Sequence, residues 1–324
     1  MYSFGSLQEI VNSEINCLDL NKTPDELYGP VRYALSAGGK RIRPVLLLLA
    51  CNMFSEDISK AIRPSLGLEI FHNFTLLHDD IMDNASLRRN QPTVHTKYNT
   101  DIALLSGDAM MIMAYSYFFD CEENILPEVL KTFNQTALQI CEGQQYDMNF
   151  ESRDDVTIDE YLYMIELKTS VLIGSALKLG AIIGGAGDKD TQLLYDTGKN
   201  IGLGFQLQDD YLDVYGDVKV FGKSIGGDIV SNKKTYLLIK ALELAKGKTY
   251  NHLTNMLKKD EFVPEEKISA VRSVYDELDI MDHTREQISE YFNSALRLME
   301  QISVKEERKD ELLKLIKKLL VRVY

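Results

Sequence analysis

At 324 residues, with 45% hydrophobic and 26% charged side chains, the chain can bury a sizeable core, and its composition excludes an intrinsically disordered protein. A formal net charge of −13 excludes the basic footprint of a nucleic-acid-binding surface. Such acidity is compatible with anionic phosphate ligands only if some of the 49 Asp and Glu hold bridging divalent cations, the rest serving solubility.

Cys17, Cys51, Cys121 and Cys141 show neither metal spacing nor disulfide density, and read as reduced, mostly buried thiols. The N-terminal stretch has no basic segment followed by an apolar run, and the greasy residues 45–50 are too few to span a bilayer. A cytoplasmic protein without stable membrane insertion is expected.

Almost every segment then reads as helix. A helix over residues 25–37 stops at Gly38-Gly39, and Pro44 opens an apolar one in its first turn. Further helices are expected over 59–83, 101–120, 126–148, 157–184, 190–215, 234–246, 264–281, 283–303 and 305–322, the last amphipathic and packed on the protein. Loops fall at 84–96, 151–157 and 218–234, the last carrying Gly222, Gly226 and Gly227 among lysines. No strict apolar–polar alternation marks a strand. With seven prolines and no Pro/Ser-rich linker, the chain reads as one all-α domain over 1–324.

The informative feature is a near-duplicate. LLHDDIMD places Asp79, Asp80 and Asp83 at the end of one apolar helix, and FQLQDDYLD places Asp209, Asp210 and Asp213 at the end of another, 130 positions later. In each, the first and last acids lie four apart, hence on one helix face about 6 Å apart along the axis. Like charges so placed repel unless neutralised. Taken singly, either cluster is a solvated helix end; the matched pair, each approached by apolar residues, points to cations, and hard oxygen donors favour Mg²⁺.

Basic residues gather where phosphates need them. GGKRIRP puts Lys40, Arg41 and Arg43 at a helix start, where unpaired N–H groups also attract anions. Arg88 and Arg89 follow the first cluster; Lys223 and Lys233 follow the second. Any one of these could be a surface cation. Together they form an anion-binding set.

At this point the chain resembles the polyprenyl synthetase family of trans-isoprenyl diphosphate synthases, through GGKRIRP, HDDIMD with Arg88-Arg89, Lys168-Thr169, GFQLQDDYLD and GKSIGGDIVSNKKT, in that order from about residue 25 onward. Asn90 and Asn232 stand where the family often has glycine, and asparagine tolerates the same backbone angles. The resemblance implies an all-helical bundle around a central cavity, usually a homodimer, that condenses isopentenyl diphosphate with an allylic diphosphate. It implies that Asp79, Asp83 and Asp209 hold about three Mg²⁺; that Arg88, Lys168, Lys223 and Lys233 contact the allylic diphosphate; that Lys40, Arg43, His72 and Arg89 bind isopentenyl diphosphate; and that Thr169 and Gln206 place oxygen dipoles near the developing allylic cation, forming the catalytic set with Lys168. The two clusters are expected to face one another.

In that family the product grows below the first cluster, so a bulky Phe74 implies a short product, farnesyl or geranylgeranyl diphosphate, and the small Thr75 favours the longer. Core packing is the equal alternative for Phe74. The methionines at 110, 111 and 113 read as core filler. A phosphohydrolase metal site at His72, His78, Asp79 and His95 leaves the second cluster and both basic segments without work. A terpene cyclase would not need Lys40, Arg43 and Arg89, and a non-catalytic partner subunit would not keep both clusters complete.

Overall fold

The computed structural model describes residues 1–216, 225–259 and 261–321. Its helices in chain order are α1 (Phe4–Asn16), α2 (Asp25–Ser36), α3 (Ile42–Phe54), α4 (Ser59–Met82), α5 (Val94–Lys97), α6 (Thr100–Phe118), α7 (Leu126–Glu151), α8 (Ile158–Ile165), a π turn (Glu166–Ser170) and α9 (Val171–Gly184). They continue with α10 (Asp188–Tyr215), α11 (Gly227–Val230), α12 (Tyr236–Leu244), α13 (Gly247–Leu257), α14 (Pro264–Glu277), α15 (Ile280–Glu300) and α16 (Glu306–Leu320). The fold is all-α. Two two-residue strands, β1 (Leu87–Arg88) and β2 (Gln91–Pro92), pair antiparallel inside the expected 84–96 loop. Arg89 and Asn90 join them with φ of 52° and 60°, the left-handed geometry of a tight hairpin turn.

The chain divides into two compact units. The first comprises residues 1–136, 173–195 and 301–312. Its centre is α3, whose residues 44–53 are all buried. Gly180 and Gly184 on α9 let that helix lie directly on the α3 backbone: a Cβ at 180 would come within 2.0 Å of the Leu47 carbonyl oxygen. α1 presents Leu7, Val11 and Ile15, four residues apart, to the same core.

The second unit comprises residues 137–172, 196–300 and 313–324. Its core gathers Val214, Ile229, Leu237, Leu238, Val271 and Tyr275. Helix starts are capped as the sequence demands: Thr157 and Glu160 form a reciprocal capping box on α8, and Thr235 caps α12.

One stretch, Ile158–Gly184, is long and apolar enough to cross a membrane, with mean hydropathy 1.4 in its best window, but 78% of that window is buried by the protein itself. That is the character of a core helix.

Candidate active site

In the first unit, α4 carries a row of polar side chains at helical spacing toward its C-terminus. Asp79 and Asp83 lie one turn apart, Asp83 N donating to the Asp79 carbonyl at 2.9 Å. Asp83 is exposed, whereas the Asp79 and Asp80 side chains are 20% and 5% exposed. Asp80 turns away to the hairpin, where Arg88 Nε donates to it at 2.7 Å, and Arg88 Nη2 lies 3.8 Å from Asp79. Burial lifts the Asp80 carboxyl above its usual value despite the opposing Arg88 charge.

Of the four groups expected at isopentenyl diphosphate, Arg43 and His72 bond to each other. Arg43, in the first turn of α3, meets His72 Nε2 at 3.0 Å, and Arg89 donates to the Gly38 carbonyl. Lys40 is exposed on the same turn, its carbonyl accepting from Gln8 at 2.8 Å. Burial, then the charges of Arg43, Arg89, Arg88 and Arg41, holds His72 well below the usual imidazole value, so it stays neutral and accepts from Arg43. Burial also lowers Arg43 to about 10, against the attraction of Glu69. Arg43 Nε is buried without a hydrogen-bond partner. A cavity of about 40 Å³ bordered by Asn73, Asp80, Arg88 and Arg89 lies beside this cluster, with room for ordered water.

Phe74 stacks edge-on against His78 with ring centroids 4.7 Å apart, and lies 5.5 Å from Phe71. Thr75 donates to the His72 carbonyl at 2.8 Å. Phe74 thus forms part of an aromatic column descending from the first cluster.

In the second unit, the π turn carries Lys168 and Thr169. It fits because glycines sit against it on both sides: a Cβ at Gly143 would come within 2.3 Å of Lys168 N, and one at Gly202 within 2.5 Å of Ser170 Cα. Inserted turns of this kind recur at functional sites. Lys168 Nζ pairs with Asp147 at 2.5 Å, and Thr169 donates to Gln206 Oε1 at 3.3 Å.

The three acids of the second cluster have different surroundings. Asp209 is partly exposed. Asp210 is 3% exposed and accepts from the Tyr161 hydroxyl and from Gln206 Nε2. Burial, with the nearby Asp228 charge, pushes its carboxyl up to about 7. Asp213 holds the following loop, accepting from Asp228 N at 3.0 Å while its own carbonyl accepts from Gly226 N at 2.7 Å. Lys233 Nζ lies 4.0 Å from Asp228. Lys223 falls outside the described residues. Among the described residues, no three acids, histidines or cysteines already converge on a metal position.

The polyprenyl synthetase pattern matches residues 24–278. The chain belongs to the polyprenyl synthetase family.

Among its relatives, a geranylgeranyl pyrophosphate synthase of Geoglobus acetivorans is 38% identical over 91% of this chain and 90% of its own. A geranylfarnesyl diphosphate synthase of Natronomonas pharaonis is 40% identical over 72% and 74%. A crystal structure of a geranylgeranyl pyrophosphate synthase superposes with a TM-score of 0.95 at 43% identity, covering 99% of both chains. This polyprenyl synthetase is therefore a short-chain trans-prenyltransferase.

Sequence reasoning missed several residues of the synthetase. Asp147 lies 21 positions from Lys168, and no local pattern links them. Glu69 and Asn73 left a fainter trace, as a lone acid and amide inside an apolar helix, which must find partners once buried. Tyr161 is indistinguishable in sequence from a core tyrosine.

Proposed function

We propose that the chain condenses isopentenyl diphosphate head to tail with an allylic diphosphate to a twenty-carbon product, using Mg²⁺, as a cytoplasmic homodimer. The observation that carries this is the arginine cluster of the first unit: Arg43 on His72 and Arg89 on Gly38 gather cations and a neutral acceptor at the start of α3. A terpene cyclase has no use for such a second anion subsite.

The aspartates fit the family's metal. Asp79 and Asp83 offer hard oxygens from one turn of α4, and Mg²⁺ takes its remaining ligands from water and phosphate rather than from an all-protein cage. Asp79, Asp83 and Asp209 would hold about three ions. Bound there, they supply positive charge to the diphosphate oxygens.

Arg88, Lys168, Lys223 and Lys233 bind the allylic diphosphate and stabilise its negative charge as the C–O bond breaks, the electron pair leaving with the diphosphate. The isopentenyl double bond, oriented by Lys40, Arg43, His72 and Arg89, forms the new C–C bond with the allylic cation. Thr169 and Gln206 direct oxygen dipoles toward that cation. The proton then lost from the isopentenyl unit passes to the released diphosphate, so no side-chain base is needed.

Small Thr75 beside Phe74, and the geranylgeranyl diphosphate synthases among the relatives, favour twenty carbons over the longer geranylfarnesyl product of others. Leu105 and Ile112 on α6 and Phe119 at its C-cap, 60%, 69% and 58% exposed and seven residues apart, form an apolar stripe that supports pairing with a second copy. Four free thiols support a reducing compartment. Arg43→Ala tests the reading: the KM for isopentenyl diphosphate should rise about tenfold or more with the allylic KM unchanged, and a normal KM for both refutes it.

A further inference from the structure

Arg41 differs from the cations on either side of it. Lys40 is exposed and Arg43 reaches His72, but Arg41 is 5% exposed and turns inward. Its Nη1 donates to Glu69 Oε1 at 2.6 Å, its Nη2 to the Leu35 carbonyl at 2.9 Å and its Nε to Asn12 at 3.3 Å. Three separate helices thus grip one guanidinium. Its backbone, capping α3, sits at φ 50° and ψ 35°, a left-handed conformation that a non-glycine residue keeps only when its surroundings hold it.

Glu69 is the anion at the bottom of this arrangement. It is 2% exposed, lies on α4 almost three turns before Asp79, and is steadied by Asn73, whose amide donates to its carbonyl at 2.8 Å and its carboxylate at 3.2 Å. Its charge acts beyond Arg41, opposing the effect of burial on both Arg43 and Arg89.

A buried ion pair is a poor device for stability alone, since apolar residues of the same volume serve as well or better. What they cannot supply is a set of directional bonds that fixes a left-handed turn, or a negative charge beneath converging arginines. We infer that Glu69 is a positioning residue for the isopentenyl diphosphate subsite: through Arg41 it fixes the turn that carries Lys40 and Arg43, and it is the counter-charge that lets the arginines gather. The inference rests on the assignment of that subsite in the proposed function.

The test compares steady-state kinetics of the full chain and of Glu69→Gln, Glu69→Asp and Arg43→Ala, varying each substrate separately. Glu69→Gln should raise the KM for isopentenyl diphosphate about tenfold while kcat and the allylic KM stay within about twofold. Glu69→Asp, which keeps the charge but loses reach, should give a smaller rise of about threefold. A general structural defect would instead lower kcat or raise both KM values together, and either result overturns the inference, as does an unchanged KM. If Glu69→Gln fails to fold, Glu69→Asp decides by the same one-substrate criterion. If Arg43→Ala raises the KM and the Glu69 variants do not, only this inference fails. If Arg43→Ala leaves it normal, the subsite assignment fails and takes the inference with it.

Discussion

The two aspartate clusters share a sequence pattern and end in different chemistry. In the first, the middle acid meets a cation: Asp80 accepts from Arg88 and anchors the hairpin that carries the arginine pair. In the second, the middle acid meets neutral donors, Tyr161 and Gln206, beside the further negative charge of Asp228, and its carboxyl rises to about 7. Spacing places three acids on a helix end. Burial raises both middle carboxyls, and the charge of the partner decides whether that rise is opposed.

The comparison can be broken most sharply at the outer acids. Asp79→Ala and Asp209→Ala should each lower kcat by at least about a hundredfold, because each removes charge the departing diphosphate depends on. Near-normal turnover in either would show that its cluster is a solvated helix end after all.

The middle acids sharpen the contrast. Asp80→Asn removes a counter-charge from Arg88 and should lower kcat/KM about thirtyfold, whereas Asp210→Asn keeps the shape of a carboxyl bonded to neutral donors and should cost about tenfold or less. The reverse order in the same assay would contradict the electrostatic distinction.

A smaller effect concerns pH. Neutral His72 in the folded protein, against an ordinary imidazole when unfolded, means that the unfolded chain binds one proton more below about pH 6.5. Stability should therefore be intact above that pH and fall as acid is added, by about 1 kcal/mol per pH unit, until the lowered pKa is reached. Denaturant titrations from pH 7 to 5 should show His72→Gln losing less stability than the parent over this window.

Product length comes last. Phe74→Ala should lengthen the product by about one isoprene unit if the column of Phe74, His78 and Phe71 closes the end of the chain's path. An unchanged length makes Phe74 core packing and nothing more.

Much of this was legible in sequence. The long helices fell within a few residues of expectation, since their apolar faces repeat at helical spacing, and Asn90 and Asn232 do adopt the positive φ of 60° and 54° that their place in the motifs suggested. Helix α1 carries the same signal, with Leu7, Val11 and Ile15 at helical spacing. α13 was harder, because Leu253 is its one buried residue. The two-residue strands are too short to alternate, and the π turn is set by Gly143 and Gly202, 23 and more residues away. In the site, charged residues announced themselves. Their partners did not: which acid binds Lys168, which middle aspartate meets a cation, and that Arg41 points inward all depend on contacts between distant segments.

The most direct test is incubation of the purified protein with isopentenyl diphosphate, each allylic starter in turn and Mg²⁺, followed by chromatography of the products. A twenty-carbon allylic diphosphate, formed only when the metal is present, is the expected result. Isopentenyl diphosphate left unconsumed with every starter would contradict the account.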